Sequence, residues 1–386
     1  MNNQKILFGI ENLQKVLEGA TKVFLVCDSS FPFLNIKEDI ENMGVPHVVF
    51  SDFSPNPVYE DVCKGIDTFH ITKCDTLLAV GGGSAIDVAK CIKLAVLAKE
   101  GNDAIIPPLV NTRVECDGTK LPFIAIPTTA GTGSESTHNA VMYYEGSKQT
   151  VTNDGILPDY AILEPKVLKT LPLYQKKCTM LDALCQGIES WWSVNSTEES
   201  YEYSRKAIEL IMANWRKYIF DYDDEAAANI MLGANFGGRA INITATTAAH
   251  AMSYKITSLY SFPHGHAVAV CLPEIWEYML SVLPSVGKEG CLKDGVVSII
   301  IDVRGSDYLT DIFSQIAITM GCRTPSEAII RFREMLKDME MQKPMSEHLT
   351  SDILLLTSSV NPIRLKNNPV EIDEPTIRDL YEKIIN

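Results

Sequence analysis

Residues 76–99, TLLAVGGGSAIDVAKCIKLAVLAK, constrain the fold more than any other stretch of the chain. Leu77–Val80 is an unbroken apolar run, the mark of a strand buried on both faces. Gly81-Gly82-Gly83 ends it, and from Ser84 the pattern becomes helical, with Ala85, Ala89, Ile92 and Val96 along one side and Ser84 placed to cap the start. Strand, tight turn and helix in that order belong to a parallel α/β layer. VFLVCD (23–28), HVVF (47–50) and FIAIPTT (123–129) read as further strands of the same sheet.

From about Lys176 the strand signals thin out and long helical periods take over, among them 198–217 and 327–339. The second of these opens with Thr324, Pro325 and Glu327, which read as a cap, a first-turn proline and a capping-box acid. With 386 residues the chain exceeds what one core usually serves. The expected architecture is an α/β dinucleotide-binding (Rossmann-like) domain over 1–172 followed by an all-α domain over 173–386.

A net charge of -15 argues against nucleic acid as a partner, since phosphate backbones call for clustered Lys and Arg. No apolar run approaches the about 18 residues of a membrane span, and the N-terminus carries no signal pattern, so a soluble cytoplasmic protein is expected. Ten cysteines without a CxxC pair read as buried, reduced thiols.

The glycine turn is a sensible phosphate cradle, because backbone without side chains lets a pyrophosphate approach amides at a positive helix end. Asp87 follows in the first helical turn, where a carboxylate also suits the helix dipole. Asp28 ends the first strand of this set, where an acid either receives ribose hydroxyls, repelling a 2'-phosphate, or caps the turn Asp28-Ser29-Ser30. PTTAGTGSES (127–136) is a second small-residue loop, able to bind a cofactor or to form an irregular turn. Lys148 offers a positive charge near a phosphate or ribose, or else a solvated surface charge.

In LDALCQGIESWW (181–192), Leu181, Leu184, Ile188 and a tryptophan form an apolar stripe, leaving Asp182, Gln186 and Glu189 on another side. Asp182 and Gln186 lie one helical turn apart and can grip one ion together. His250 in TTAAHAMSY and His264 in FPHGH can converge on the same cation. Such oxygen and nitrogen donors suit Fe(II), Mn(II) or Zn(II), with a position open to a substrate oxygen. A dinucleotide in one domain and a cation in the other point to hydride transfer in a cleft between them.

These motifs together resemble the iron-containing, group III metal-dependent alcohol dehydrogenases. The resemblance rests on GGGSAIDVAK (81–90), IPTTAGTGSES (126–136), LPDYAILEP (157–165), LDALCQGIES (181–190), HAMSY (250–254), FPHGHA (262–267) and NPIR (361–364). It implies cofactor contacts at Gly82, Gly83, Ser84, Asp87, Thr128, Thr129 and Lys148, with Asp28 favouring NAD(H) over NADP(H). It also implies one divalent metal, Fe(II) before Mn(II) or Zn(II), a small aldehyde or alcohol as substrate, and a homodimer.

Asp182, His250 and His264 match three of that family's metal positions. Gln186 stands where most members carry a histidine, and its harder, weaker amide donor tilts preference from zinc toward iron or manganese. Tyr254 occupies the place of another histidine linked to proton relay, so the proton comes from water, Tyr254 or His266. Residues 182–200, 240–270 and 360–370 are similar in wording to a subgroup, the phosphonoacetaldehyde reductases. Arg239, Thr247 and Lys255 would then hold the anionic tail, or else serve helix packing and surface charge. Other small aldehydes such as succinic semialdehyde or simple alkanals, a lyase resembling dehydroquinate synthase, and a metal-free NAD-binding protein are the competing expectations.

Overall fold

The computed structural model describes residues 4–98, 120–283 and 299–385. It divides into two compact units, one formed by Met1–Pro172 with Arg216–Gly238 and the other by Leu173–Trp215 with Arg239–Asn386.

In the first unit, β1 (Lys5–Phe8), β2 (Val23–Cys27), β3 (His47–Phe50), β4 (Thr76–Gly81), β5 (Phe123–Pro127) and β8 (Tyr160–Leu163) form one sheet, all paired in parallel, in the order β1-β8-β5-β4-β2-β3. Every residue of β2, β4 and β5 is buried, which is why these strands read as unbroken apolar runs. The edge strands β1 and β3 are half exposed. A hairpin of β6 (Asn139–Tyr144) and β7 (Ser147–Thr152) stands apart, its two-residue turn taking positive φ at Glu145 and Gly146 as such hairpins require. The helices of its Met1–Pro172 part are α1 (Leu13–Val16), α2 (Lys37–Glu41), α3 (Tyr59–Thr72) and α4 (Gly83–Leu97).

Strand order reverses beside β2, which has β3 on one side and β4 on the other. Such a switch point opens a crevice at the carboxyl ends of the strands, and Asp28 and Gly81-Gly82 sit there. The segment 216–238, expected in the helical domain, groups with this unit instead. Its packing explains why: Asn235 Nδ2 donates to Glu135 Oε1 at 2.9 Å and to Ser136 Oγ at 2.7 Å, and a Cβ on Gly133 would stand 2.3 Å from Gly238 Cα.

The rest of the chain is helical: α5 (Leu173–Trp192), α6 (Glu198–Arg216), α7 (Asp224–Thr244), α8 (Ala248–Tyr260), α9 (His264–Ser281), α10 (Gly305–Thr319), α11 (Pro325–Asp338), α12 (Leu349–Ser359), α13 (Pro362–Leu365) and α14 (Glu374–Ile384). Thr324 caps α11 by accepting from Glu327 N at 3.2 Å, as its sequence implies. The core of the second unit gathers Trp192, Trp276 and Phe313 in mutual edge-to-face ring contacts.

α5 packs on α9, and α9 on α8. The first of these contacts depends on a missing side chain, since a Cβ on Gly265 would lie 2.0 Å from the Cys178 carbonyl oxygen and 2.8 Å from Asp182 Cβ. Backbone thus meets backbone at the start of α9, which brings neighbouring His264 to Asp182. The eight described cysteines are free thiols, while Cys116 and Cys291 lie outside the described residues. No described helix is long and apolar enough to cross a membrane.

Candidate metal and cofactor sites

Helix α5 is buried on nearly all sides, so its polar residues must find partners inside the protein. Asp182, Gln186 and Glu189, at i, i+4 and i+7, share one face. Asp182 Oδ1 lies 3.3 Å from His250 Nε2, and Gln186 Nε2 donates to Asp182 Oδ2 over a long 3.4 Å. The His264 ring lies 5.4 Å from that of His250, centroid to centroid. One ligand atom from each of Asp182, His250 and His264 falls within 4.8 Å of the other two. Donors about 2.1 Å from a shared ion lie at most about 4.2 Å apart, so this triad fits one divalent cation after a small contraction. Gln186 stands beside Asp182, and half a turn of its amide points the carbonyl oxygen where the nitrogen now lies.

Sequence reasoning assigned no role to Glu189, yet it organises the site. The side chain is fully buried, and its Oε1 accepts from Thr247 Oγ1 at 2.7 Å and from the amides of Ala249, Thr247 and His250 at 3.0, 3.2 and 3.3 Å. These amides open α8, where an acid satisfies donors that have no partner within the helix. Its other oxygen, Oε2, accepts from His250 Nδ1. That bond keeps the proton on Nδ1 and leaves Nε2 as the ligating nitrogen, aimed at Asp182. Burial alone lowers the His250 pKa, but Glu189 and then Asp182 outweigh it and lift the ring to about 10. The available signal was spacing, two helical turns from Asp182 on the same face.

Tyr254, four residues after His250, stacks on the His264 ring at 5.4 Å with 5° between planes. Its hydroxyl accepts from Arg364 Nη1 at 3.1 Å, and the guanidinium lies 5.0 Å from its ring centre. His266 is engaged elsewhere. Its Nδ1 accepts from the Tyr174 hydroxyl at 2.8 Å, its Nε2 donates to the Gln342 carbonyl at 2.9 Å, and burial holds its pKa below the usual value.

Two of the residues expected to hold an anionic tail make other contacts. Thr247 is fully buried in the Glu189 cage, where Trp192 Nε1 also donates to it at 2.9 Å. Arg239 lies over the Tyr203 ring at 5.4 Å. Lys255 is five residues from His250, about 140° around α8 from the ligand face.

In the first unit, Asp28 Oδ2 accepts from Gly82 N at 3.1 Å, and its Oδ1 accepts from Ser30 N at 2.9 Å, so the acid serves the turn as well as facing the glycines. No side chain caps the N-terminus of α4. A Cβ on Gly83 would press on Thr132 at 3.0 Å, whereas one on Gly82 would meet nothing nearer than Thr129 at 3.6 Å. Ser84 Oγ accepts from Asn56 N at 3.2 Å, and Thr128 is buried, its amide donating to Gly81 O at 3.0 Å. Asp87 accepts from Ser134 Oγ at 2.6 Å and from Val141 N at 3.0 Å, while burial, opposed by Lys90 and Lys148 nearby, raises its pKa.

Lys90, also missed, is fully buried and donates to Ser134 Oγ, Thr137 Oγ1 and Asn139 O at 2.9, 2.9 and 2.7 Å. It ties the second loop to α4, and lysines set at 90 and 93 in an otherwise apolar helix were the signal. An uncapped helix end beside bare glycines fits a pyrophosphate.

Residues 3–165 match the family described as "Iron-containing alcohol dehydrogenase", and residues 177–385 match "Fe-containing alcohol dehydrogenase family, C-terminal". The chain belongs to the iron-containing alcohol dehydrogenase family. Its parallel α/β part and helical part are those of that fold. The solved structure of an iron-containing alcohol dehydrogenase from Thermococcus thioreducens superposes with a TM-score of 0.84 and 25% identity, covering 100% of this chain and 98% of that one. Long-chain-alcohol dehydrogenase 1 of Geobacillus thermodenitrificans is 29% identical over 378 residues, 94% of this chain and 89% of its own. The phosphonoacetaldehyde reductase of Streptomyces viridochromogenes is 29% identical over 344 residues, 86% of this chain and 81% of its own. This chain is accordingly an oxidoreductase of the alcohol dehydrogenase class.

Proposed function

We propose that this family member is an NAD(H)-dependent reductase of a small aldehyde, with phosphonoacetaldehyde, reduced to 2-hydroxyethylphosphonate, as its substrate. The observation that carries the reading is the triad of Asp182, His250 and His264, whose donor atoms lie within 4.8 Å of one another. The likeness to the Streptomyces phosphonoacetaldehyde reductase supports the choice of substrate.

Asp182, His250 and His264 would hold a divalent cation, Fe(II) in keeping with the family's description, with the Gln186 amide oxygen as fourth donor. When bound, the cation supplies Lewis-acid polarisation of the carbonyl. Glu189 holds His250 in the tautomer that ligation needs. The α4 N-terminus with Gly82 and Gly83 binds the pyrophosphate, and Thr129 lines the same turn. Asp28 receives the ribose hydroxyls and repels a 2'-phosphate, which selects NAD(H) over NADP(H).

A bound NADH would supply the hydride for the carbonyl carbon, whose oxygen would then need a proton. Tyr254 supports that last role. Its ring stacks on His264 and its hydroxyl accepts from Arg364, which places an acidic O–H beside the triad. Both ring nitrogens of His266 are occupied, which favours Tyr254 over it as the donor.

The test is purified protein with NADH, Fe(II), Mn(II) or Zn(II), and a panel of aldehydes. The expected result is metal-dependent NADH oxidation, faster with phosphonoacetaldehyde than with propanal or succinic semialdehyde. Absence of any metal-dependent turnover would overturn the reading in favour of a nucleotide-binding protein without redox chemistry.

A further inference from the structure

We infer that the Arg364 guanidinium is the anchor for the negatively charged end of the substrate, beside the metal-binding histidines. The inference rests on the reductase reading and adds the residue that selects an anionic aldehyde over a neutral one.

Arg364 is placed by a short, well-held piece of backbone. Asn361 caps the single turn of α13 by accepting from Ile363 N at 2.9 Å, and Pro362 sets its first φ. Just beyond, Asn367 Nδ2 donates to Thr246 O at 3.1 Å, its Oδ1 accepts from Asn195 Nδ2 at 3.0 Å, and its carbonyl accepts from Val194 N at 3.1 Å. The loop that carries Arg364 is thereby tied to the turn that precedes α8, the helix bearing His250 and Tyr254.

From there the contacts run in sequence. The guanidinium donates to the Tyr254 hydroxyl at 3.1 Å and covers its ring at 5.0 Å, and that ring stacks on His264 at 5.4 Å. The distance from guanidinium to imidazole cannot exceed the sum of the last two, which keeps Arg364 in the neighbourhood of the triad. Burial sorts the two ends. Asp182, Gln186 and His250 are buried, whereas Tyr254, His264 and Arg364 keep partial solvent access, as a side that receives substrate must. A planar guanidinium matches the paired oxygens of a carboxylate, sulfonate or phosphonate, and its position on an aromatic face holds the fork still. Arg239 lies instead on Tyr203.

Arg364→Gln and Arg364→Lys separate anion binding from simple bracing of Tyr254. With the metal-loaded enzyme, kcat/KM is measured for phosphonoacetaldehyde and for propanal. A charge-assisted contact contributes about 1.5–3 kcal/mol, so the ratio of the two should fall about 10- to 100-fold in Arg364→Gln, chiefly through KM. Arg364→Lys should recover part of that ratio. Calorimetric binding of 2-hydroxyethylphosphonate gives a readout without turnover and should weaken by a similar factor.

Equal losses for both aldehydes, or unchanged phosphonate binding in Arg364→Gln, would overturn the assignment. Should the wild type reduce no aldehyde yet bind 2-hydroxyethylphosphonate in an Arg364-dependent way, the reductase reading fails and the anion site stands.

Discussion

Replacing Glu189 by Gln changes one oxygen to a nitrogen inside a cage of known partners. The amide oxygen of Gln can still accept from Thr247 and from the opening amides of α8, which hold Oε1 at 2.7–3.3 Å. Its NH2 must then face His250 Nδ1, a position now filled by an acceptor. Two donors cannot face each other, so the imidazole proton moves to Nε2, the nitrogen that points at Asp182. The ring is left in the wrong tautomer for ligation. Outer partners of this kind typically contribute 10- to 100-fold to metal affinity, about 1.4–2.7 kcal/mol.

The expected outcome is a metal dissociation constant raised by that factor, read by chelator competition, with NAD binding and far-UV circular dichroism unchanged. Glu189→Ala is a poorer probe, because it strands buried donors at about 1–3 kcal/mol each and threatens folding. A Glu189→Gln protein that holds Fe(II), Mn(II) and Zn(II) as tightly as the wild type would refute the tautomer argument.

Three further outcomes are expected. Gly265→Ala forces a methyl to within 2.0 Å of the Cys178 carbonyl oxygen, so it should cost about 1–3 kcal/mol and loosen metal binding by displacing His264; an unchanged melting temperature and affinity would contradict this. Gln186→His supplies imidazole for an amide oxygen and should raise zinc affinity at least about tenfold relative to Mn(II), which a competitive titration with both metals would measure. Alkali should destabilise the protein, because burial pushes the thiols of Cys27 and Cys178 up to about 12 and those of Cys91, Cys185 and Cys271 higher still. With folded pKa values above the unfolded value of about 9, their contribution is intact below pH 9 and lost at about 1.4 kcal/mol per thiol per pH unit above it. Lys90, lowered by burial to about 8, works in the opposite sense between pH 8 and 10.5 but is a single group. A melting temperature in reductant that stays level from pH 8 to 10 would refute the sum.

Of the strands read from sequence, β2, β4 and β5 are buried on both faces while the edge strand β3 is partly exposed, and the glycine turn into α4 lies where the pattern breaks. β1, β6 and β7 escaped notice because their faces are half exposed and their residues mixed, so no apolar run marks them. β8 is only four residues long and hid inside a motif read for its wording. The donors Asp182, His250 and His264 were legible from residue type and helical spacing, since that chemistry is local.

What distant segments do to one another was not legible. Glu189 meets His250 across 61 positions and Arg364 meets Tyr254 across 110, while Thr247, open to a substrate or a packing role from sequence, lies sealed in the core. Periodicity reports which face of a helix is polar, but only packing chooses the partner set against that face. Here a side chain withheld at Gly265 lets α9 close on α5, and that approach turns separate donors into one site.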